Sequence, residues 1–161
     1  MSTLTHIDDS NQPSMVDITD KSISKRTATA QTHIIVGNQV MQLLKDGDIQ
    51  SKKGPVFQTA IIAATMAAKN TSNLIPFCHP IPLEKCKVNI APITETTIEI
   101  LATCQTTGKT GIEMEALTAA NIAALTIYDM CKAISHTMTI TEGKLLTKTG
   151  GKSDYQSPPS A

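Results

Sequence analysis

Residues 86–103 read CKVNIAPITETTIEILAT. The two halves of this stretch, Cys86–Ile90 and Thr96–Thr103, are rich in β-branched residues that favour strands. A short turn around Pro92 joins them. Two strands so close together in the chain predict an antiparallel hairpin.

Helix signals flank this hairpin on both sides. Before it, Val56 to about Lys69 is dense in Ala, Ile and Met and follows Pro55, which is well placed to start a helix. After it, a long helix is predicted from about Ile112 to Ser135. The segment between the first helix and the hairpin, Asn70–Pro82, contains three prolines and predicts an irregular loop.

The outermost elements are strands. Residues 27–36 are rich in β-branched side chains and are followed by Gly37, which predicts a strand. A last strand is predicted near Met138–Thr147. A short helix over Gln39–Lys45, capped by Asn38, follows the first strand. The order β-α-α-β-β-α-β predicts an α+β fold of the ferredoxin-like (split βαβ) class, with helices packed on an antiparallel sheet.

The composition indicates one globular domain over residues 1–161, with residues 1–13 and about 152–161 flexible. Hydrophobic residues make up 40% of the chain and charged residues 17%, which suits a folded core. Only four residues are aromatic, so the core must be built from small and branched aliphatic side chains. Such side chains bury little area per helix, so we expect the chain to gain stability by forming oligomers.

Charge and cysteine usage exclude several classes of partner. The chain has 14 basic and 14 acidic residues, so no overall field attracts nucleic acid or an anionic membrane, and an anionic ligand needs a local cluster. The four cysteines form no CxxC pair, which is typical of reduced thiols. The polar segment MSTLTHIDDSNQPSM is unlike a signal peptide. We expect a cytoplasmic protein without nucleic-acid or membrane partners.

Four charged residues interrupt the long helix, which is apolar around much of its circumference and therefore predicted to be buried on most sides: Glu113, Glu115, Asp129 and Lys132. Asp129 and Lys132 are spaced to pair on one helical face. They form either a structural ion pair or an acid–base pair whose pKa values are set by partial burial and mutual attraction. Glu115 and Asp129 point in nearly the same direction but lie about 21 Å apart along the axis. If both serve one ligand, two subunits must supply them, as a two-fold interface does.

Glycine-rich and basic turns offer anion sites. Gly108–Gly111 is not a P-loop, since position 103 is Thr, and it is either a plain turn or an anion site at the start of a helix. Arg26 is the only arginine and so the only two-pronged phosphate ligand. Spacing alone does not show whether the remaining basic turns converge on one polyphosphate: Lys52–Gly54, Gly143–Lys144 and Lys148–Lys152.

The loop LIPFCHP, residues 74–80, carries a Cys-His pair. A zinc site needs about four ligands, and Cys86 and Cys104 complete no known spacing, so we predict no metal. Neighbours in sequence often point apart, which weakens Cys78 as a nucleophile activated by His79. His79 is instead expected to reach a ligand from a loop fixed by its prolines.

Several motifs together resemble the cyclic pyranopterin monophosphate synthases, the molybdenum cofactor biosynthesis protein C family. They are TGKTGIEMEALTAA at 107–120, ALTIYDMCKA at 124–133, LIPFCHP at 74–80, MVD at 15–17 and KTGGKS at 148–153. The resemblance implies a ferredoxin-like subunit in a homohexamer, a trimer of dimers with shared active sites. It implies a lyase that converts (8S)-3′,8-cyclo-7,8-dihydroguanosine 5′-triphosphate to cyclic pyranopterin monophosphate and diphosphate, with a small-molecule substrate and no cofactor.

The resemblance also implies roles for residues. Asp129, Lys132 and Lys53 are expected to be catalytic, although Pro55 follows Lys53-Gly54 where the family pattern has an acidic residue. Substrate binding is expected of Phe77, Cys78, His79, Glu113, Met114, Glu115 and Arg26. Two alternatives stay open: a non-catalytic nucleotide-binding regulator on the same fold, which should lack the Asp/Lys pair, and a purely structural oligomer.

Overall fold

The computed structural model describes residues 10 and 12–158. Parts of both segments predicted to be flexible lie outside the described residues. The elements in chain order are β1 Ser24–Ile35, α1 Asn38–Met41, β2 Leu44–Lys45, β3 Asp48–Ser51, β4 Gly54–Pro55, α2 Val56–Lys69, α3 Thr71–Leu74, β5 Lys85–Pro92, β6 Thr97–Gly108, α4 Glu113–Cys131, β7 Thr139–Thr149 and β8 Tyr155–Gln156.

The main sheet has five antiparallel strands in the order β5-β6-β1-β7-β8. The predicted hairpin is confirmed as β5 and β6, and both strands are longer than expected. Because β6 is antiparallel to both of its neighbours, β5 and β1 run parallel on either side of it. A second sheet, β2-β3-β4, is small and also antiparallel.

Alternation along the strands separates two faces of the main sheet. In β1, Ala28, Ala30 and Ile34 are buried in the core, whereas Thr27 and Thr29 are only half-buried. Helix α4 packs against β1, β6 and β7, and α2 packs against α4 and β5. The contact face of α4 consists largely of alanines without exposed surface, namely Ala116, Ala119, Ala120, Ala123 and Ala124. Small side chains let the helices approach the sheet closely, so the core depends on close packing.

The structure differs from the prediction in several boundaries and in two short elements. Helix α1 ends at Met41, not at Lys45, because Leu44–Lys45 pairs with β3, and its N-cap is Gly37 with φ 78° instead of Asn38. The segment predicted to be irregular contains the one-turn helix α3. Helix α4 ends at Cys131, four residues early, where Ile134 and Ser135 donate their N–H groups back to the Cys131 carbonyl. Tyr155–Gln156, in the predicted tail, pairs with β7.

The α+β class and the antiparallel sheet packed with helices are confirmed. Helices α2 and α4 pack against each other and against the sheet. Within the described part of the chain, no helix has the length and apolar character needed to cross a membrane.

Candidate active site

Strand register brings three distant parts of the chain together at one end of the sheet. Ser24 is paired with Gly108 and Thr27 with Thr149, so the start of β1 meets the ends of β6 and β7, and α4 begins just beyond β6. A cavity of about 850 Å³ lies there, and we call it the cationic cavity. Its basic lining residues are Lys21, Arg26, His79, Lys109, Lys148 and Lys152.

Arg26 is held at the inner wall of this cavity. Its side chain is 9% exposed, and it donates hydrogen bonds from Nε to the Gly108 carbonyl at 3.3 Å and from Nη2 to the Ser22 carbonyl at 3.5 Å. Gly150 has φ 82°, and a Cβ there would lie 1.8 Å from the Lys25 carbonyl oxygen. The close approach of this turn to β1 therefore requires glycine. It also brings the basic residues around the turn to Arg26.

Some of the basic turns converge on this cavity, and others do not. Lys109, Lys148 and Lys152 converge on the cavity, and Lys21, for which the sequence offered no signal, joins them. Lys148 Nζ lies 3.0 Å from a Glu113 carboxylate oxygen, and Lys109 donates to the Thr19 carbonyl. Lys144 instead pairs with Glu142 at 3.0 Å. Among the described residues that line the cavity, Glu113 is the only carboxylate, and the basic side chains there outnumber it.

A smaller cavity of about 130 Å³ adjoins the first. The two share His79, Thr110, Gly111 and Glu113 in their walls. The residues expected to contact substrate, apart from Arg26, line this small pocket: Phe77, Cys78, His79, Glu113, Met114 and Glu115. Arg26 lines the larger one. The structure therefore brings all of them together around two connected spaces.

Glu115 is the buried carboxyl of the small pocket, with 4% of its surface exposed. Burial, reinforced by the negative charge of Glu113, raises the pKa of Glu115 to about 7. The pKa of Cys78 is also raised, mainly by burial and then by the Glu115 charge. A carboxyl with a pKa near neutrality can accept and return a proton at physiological pH.

The three residues expected to be catalytic form a separate group, the aspartate–lysine cluster. The Asp129 carboxylate lies 2.7 Å from Lys132 Nζ and 2.8 Å from Lys53 Nζ. Lys53 also donates to the Asp129 backbone carbonyl at 3.2 Å. Hydrogen bonds from Lys132 and then Lys53 lower the pKa of Asp129 to about 2, and Asp129 in turn raises the pKa of Lys132.

The cluster is about half exposed. The side chains of Asp129 and Lys53 are 54% exposed and that of Lys132 is 51% exposed, so mutual attraction, not burial, shifts the pKa values of Asp129 and Lys132. Asp129 and Lys132 lie on the outer side of the last turn of α4, whereas Ile127, Met130 and Cys131 on its inner side are buried. The charges are paired but remain accessible to solvent within one subunit.

Lys53 reaches Asp129 from the turn between β3 and β4. Ser51 Oγ accepts a hydrogen bond from the Lys53 N–H, and Gly54 has φ 111°. The turn is fixed to α2 by Asp48, a buried residue that the sequence did not single out. Its carboxylate accepts from the backbone N–H groups of Phe57 at 2.7 Å and Gln58 at 3.2 Å, in the first turn of α2. Asp48 therefore caps the start of α2 and, by the same contacts, holds the turn that carries Lys53.

The two groups occupy opposite ends of α4. The small pocket adjoins its first turn and the aspartate–lysine cluster its last, about 21 Å apart at about 1.5 Å per residue. In the described part of the chain, no three side chains of His, Cys, Asp or Glu form a metal-binding group. Cys86 and Cys104, considered as zinc ligands above, face each other instead.

Comparisons with known proteins agree on one family. Residues 15–151 match the MoaC family. A cyclic pyranopterin monophosphate synthase of Xanthomonas axonopodis pv. citri is 48% identical, with 94% of this chain and 92% of that protein covered. One from Campylobacter jejuni is also 48% identical over 93% of this chain and 95% of its own length.

A longer relative contains a similar region. Molybdenum cofactor biosynthesis protein 1 of Dictyostelium discoideum is 53% identical, and the match covers 90% of this chain. The chain spans only 26% of that relative's length. The family match covers most of the chain and includes both groups of site residues, and the bacterial relatives match it nearly from end to end. The chain belongs to the MoaC family.

Proposed function

We propose that this chain is a cyclic pyranopterin monophosphate synthase. It converts (8S)-3′,8-cyclo-7,8-dihydroguanosine 5′-triphosphate to cyclic pyranopterin monophosphate and diphosphate, as a phosphorus–oxygen lyase of molybdenum cofactor biosynthesis. The bacterial relatives bear the name of this activity. The observation that carries the proposal is a cationic cavity that opens into a small pocket with a buried carboxyl.

The cationic cavity suits the triphosphate. A triphosphate carries several negative charges, and Arg26 with the surrounding lysines supplies fixed positive charge at the walls. The adjoining small pocket is lined by Phe77, Met114 and Ile81 together with Glu115 and His79, so it offers both apolar surface and polar groups. In this arrangement the guanine-derived part of the substrate enters the small pocket and the phosphates stay in the larger cavity.

The chemistry requires proton transfer and one phosphoryl displacement. Opening of the guanine-derived ring and formation of the pyranopterin need a group that gives and takes protons. A ribose-derived hydroxyl then attacks the α-phosphorus, which closes the cyclic phosphate and releases diphosphate. Asp129 in the exposed cluster has a pKa of about 2 and is a weak base at neutral pH. A second subunit or the substrate must cover this cluster before it can exchange protons efficiently.

That requirement supports a shared active site. We propose a ferredoxin-like subunit, supported by the sheet order β5-β6-β1-β7, in which the two β-α-β units interleave. We propose further that the subunits form a homohexamer, a trimer of dimers. A two-fold axis would place the aspartate–lysine cluster of one subunit against the small pocket of its partner. The free cysteines of the chain suit a reducing compartment, and we propose the cytoplasm.

The alternatives receive less support. A non-catalytic regulator is expected to lack the Asp/Lys pair, and here Asp129 pairs with Lys132 at 2.7 Å. The names of the relatives also give a regulator no support. A purely structural oligomer leaves the cationic cavity unexplained.

The proposed function is tested by diphosphate release from the cyclised GTP derivative. The wild-type chain should release diphosphate, and Asp129→Asn and Lys132→Ala should each lower the rate by about 10²–10⁴-fold, the usual contribution of acid–base groups. Glu142→Gln breaks an exposed ion pair elsewhere and serves as the matched control, with unchanged turnover. Wild-type rates in a correctly assembled Asp129→Asn variant would refute the assignment.

A further inference from the structure

Two cysteines of the β5–β6 hairpin lie directly opposite each other on adjacent strands. Cys86 of β5 and Cys104 of β6 are direct partners in the register, and both are free thiols. The Cys104 thiol donates to Cys86 Sγ at 3.8 Å. Opposed residues of antiparallel strands have Cα atoms about 4.5–5.5 Å apart, which lies within the range of about 4.4–6.8 Å that a disulfide spans. Rotation of the side chains is therefore sufficient to join the sulfurs.

The two thiols are chemically unequal. Cys86 is half-buried, and its pKa is lowered to about 7 by the hydrogen bond from Cys104, with further help from the Thr65 hydroxyl and the positive charge of Lys69. Cys104 has no exposed surface, and its pKa is raised by the hydrogen bond to Cys86 and by burial. A partly ionised, accessible thiol beside a protonated one is the usual arrangement of an attacking and a resolving cysteine.

The other two cysteines of the chain lack this combination. Burial and the Glu115 charge raise the pKa of Cys78, and burial raises the pKa of Cys131 to about 11. Cys131 also has no exposed surface. Cys86 is therefore the thiol of this chain most readily oxidised.

We propose that Cys86 and Cys104 form a peroxide-reactive dithiol that closes to an intrachain disulfide. The Cys86 thiolate attacks one oxygen of hydrogen peroxide, the O–O bond breaks, and the hydroxide released takes up a proton to become water. The Cys104 thiol then displaces the oxygen of the Cys86 sulfenic acid. An S–S bond forms, the S–O bond breaks, and a second water leaves with the Cys104 proton. Two thiols are oxidised and one peroxide is reduced to two waters.

The dithiol adjoins the candidate site without belonging to it. The Glu115 charge contributes to the raised pKa of Cys104, so this carboxyl and the dithiol are neighbours. Neither thiol lines the cationic cavity or the small pocket. The dithiol is therefore separate from both cavities, and the proposal stands independently of the proposed function.

The test uses the native full chain treated with one equivalent of hydrogen peroxide, then alkylated and analysed by mass spectrometry. We expect the intact chain to lose two hydrogens and two alkylatable thiols. Trypsin should then yield the dipeptide 86–87 linked to the peptide 88–109, which contains Cys104. In Cys86→Val, which keeps a strand-favouring side chain, both losses should disappear. Cys131→Ala is the matched control and should still form the linked peptide.

A second variant keeps the proposal open to refutation if the first folds poorly. In Cys104→Ser, the hydroxyl can still donate a hydrogen bond to Cys86 but cannot form a disulfide, so the sulfenic acid of Cys86 should accumulate and be trapped by dimedone. The proposal is overturned if peroxide oxidises Cys78 or Cys131 before Cys86. It is also overturned if Cys86 proceeds to sulfinic acid with Cys104 still present, or if the native thiols do not react.

Discussion

The two ends of α4 hold carboxylates in opposite electrostatic settings. Glu115, at the first turn, is 4% exposed, and burial raises its pKa to about 7. Asp129, near the last turn, is 54% exposed, and two lysines lower its pKa to about 2. One helix therefore carries a proton carrier suited to neutral pH and a permanent anion. In the shared site proposed above, Glu115 supplies the group that can change its protonation near neutral pH, and Asp129 with its lysines supplies fixed charge.

The largest expected effect concerns the sharing of these two ends between subunits. Glu115→Gln and Asp129→Asn should each be nearly inactive alone. In a mixed two-fold dimer, one of the two sites combines the intact Glu115 of one variant with the intact Asp129 of the other, and the second site has both substitutions. About half of randomly mixed dimers are of this kind, so mixing should restore about a quarter of wild-type diphosphate release.

The matched control combines two variants of the same end. A mixture of Asp129→Asn and Lys132→Ala places a defective cluster in every site, so its activity should not recover. Mixed oligomers of the first pair are confirmed by native mass spectrometry before the assay. No recovery in those oligomers, or equal recovery in the control mixture, would show that each subunit works with its own two ends.

A smaller effect concerns the free energy of unfolding, whose pH dependence reports on the buried carboxyl of Glu115. The pKa of Glu115 is raised from 4.5 to about 7 in the folded chain, so the folded state binds more protons than the unfolded state between these values. The protonated Glu115 makes its full contribution to the free energy of unfolding below pH 4.5, and this contribution is lost as the pH rises to about 7. By linkage the loss is about 3 kcal/mol.

Glu115→Gln removes this dependence. Denaturant unfolding at about pH 5 and about pH 8 should show the variant gaining stability relative to wild type as pH rises. Glu142→Gln provides the contrast, since Lys144 lowers the pKa of Glu142 and its contribution changes only below this window. If the difference between Glu115→Gln and wild type stays constant over the window, the carboxyl is not held in a desolvated site.

Much of this arrangement could be read from local sequence. The hairpin and α2 were predicted because β-branched runs separated by a short turn, and an alanine-rich run that follows a proline, are local signals. The pairing of Asp129 with Lys132 was also predictable, since residues three apart share a helical face. The end of α4 was misplaced because no glycine or proline follows Cys131 to mark the stop.

The rest depends on contacts between distant residues. Lys21, Lys109 and Lys148 converge only because the start of β1 pairs with the ends of β6 and β7, and spacing alone does not fix this register. The exposure of Asp129 was missed for a similar reason. An apolar helix predicts burial of most of its surface, but the pattern does not reveal which side of the last turn faces solvent.

The smallest expected effect concerns Asp48, whose link to Asp129 passes through Lys53. Asp48→Ala removes the acceptor for the Phe57 and Gln58 N–H groups, and the loss of such a cap costs about 1 kcal/mol. Since Asp48 also fixes the turn that carries Lys53, the variant should raise the pKa of Asp129 toward its ordinary value. Denaturant unfolding measures the first effect, and NMR titration of the Asp129 carboxyl measures the second.

The matched variants Lys53→Met and Lys52→Met separate the effect of Lys53 on the Asp129 pKa from any effect on the free energy of unfolding. Lys53→Met should raise the pKa of Asp129 with little effect on unfolding, because an exposed ion pair contributes little to stability. Lys52→Met, one residue earlier in the same turn, should change neither quantity. If Asp48→Ala lowers stability but leaves the Asp129 pKa unchanged, Lys53 finds its partner without the buried cap. The position of Lys53 would then depend on the pairing of β3 with β4, which closes the turn that carries it.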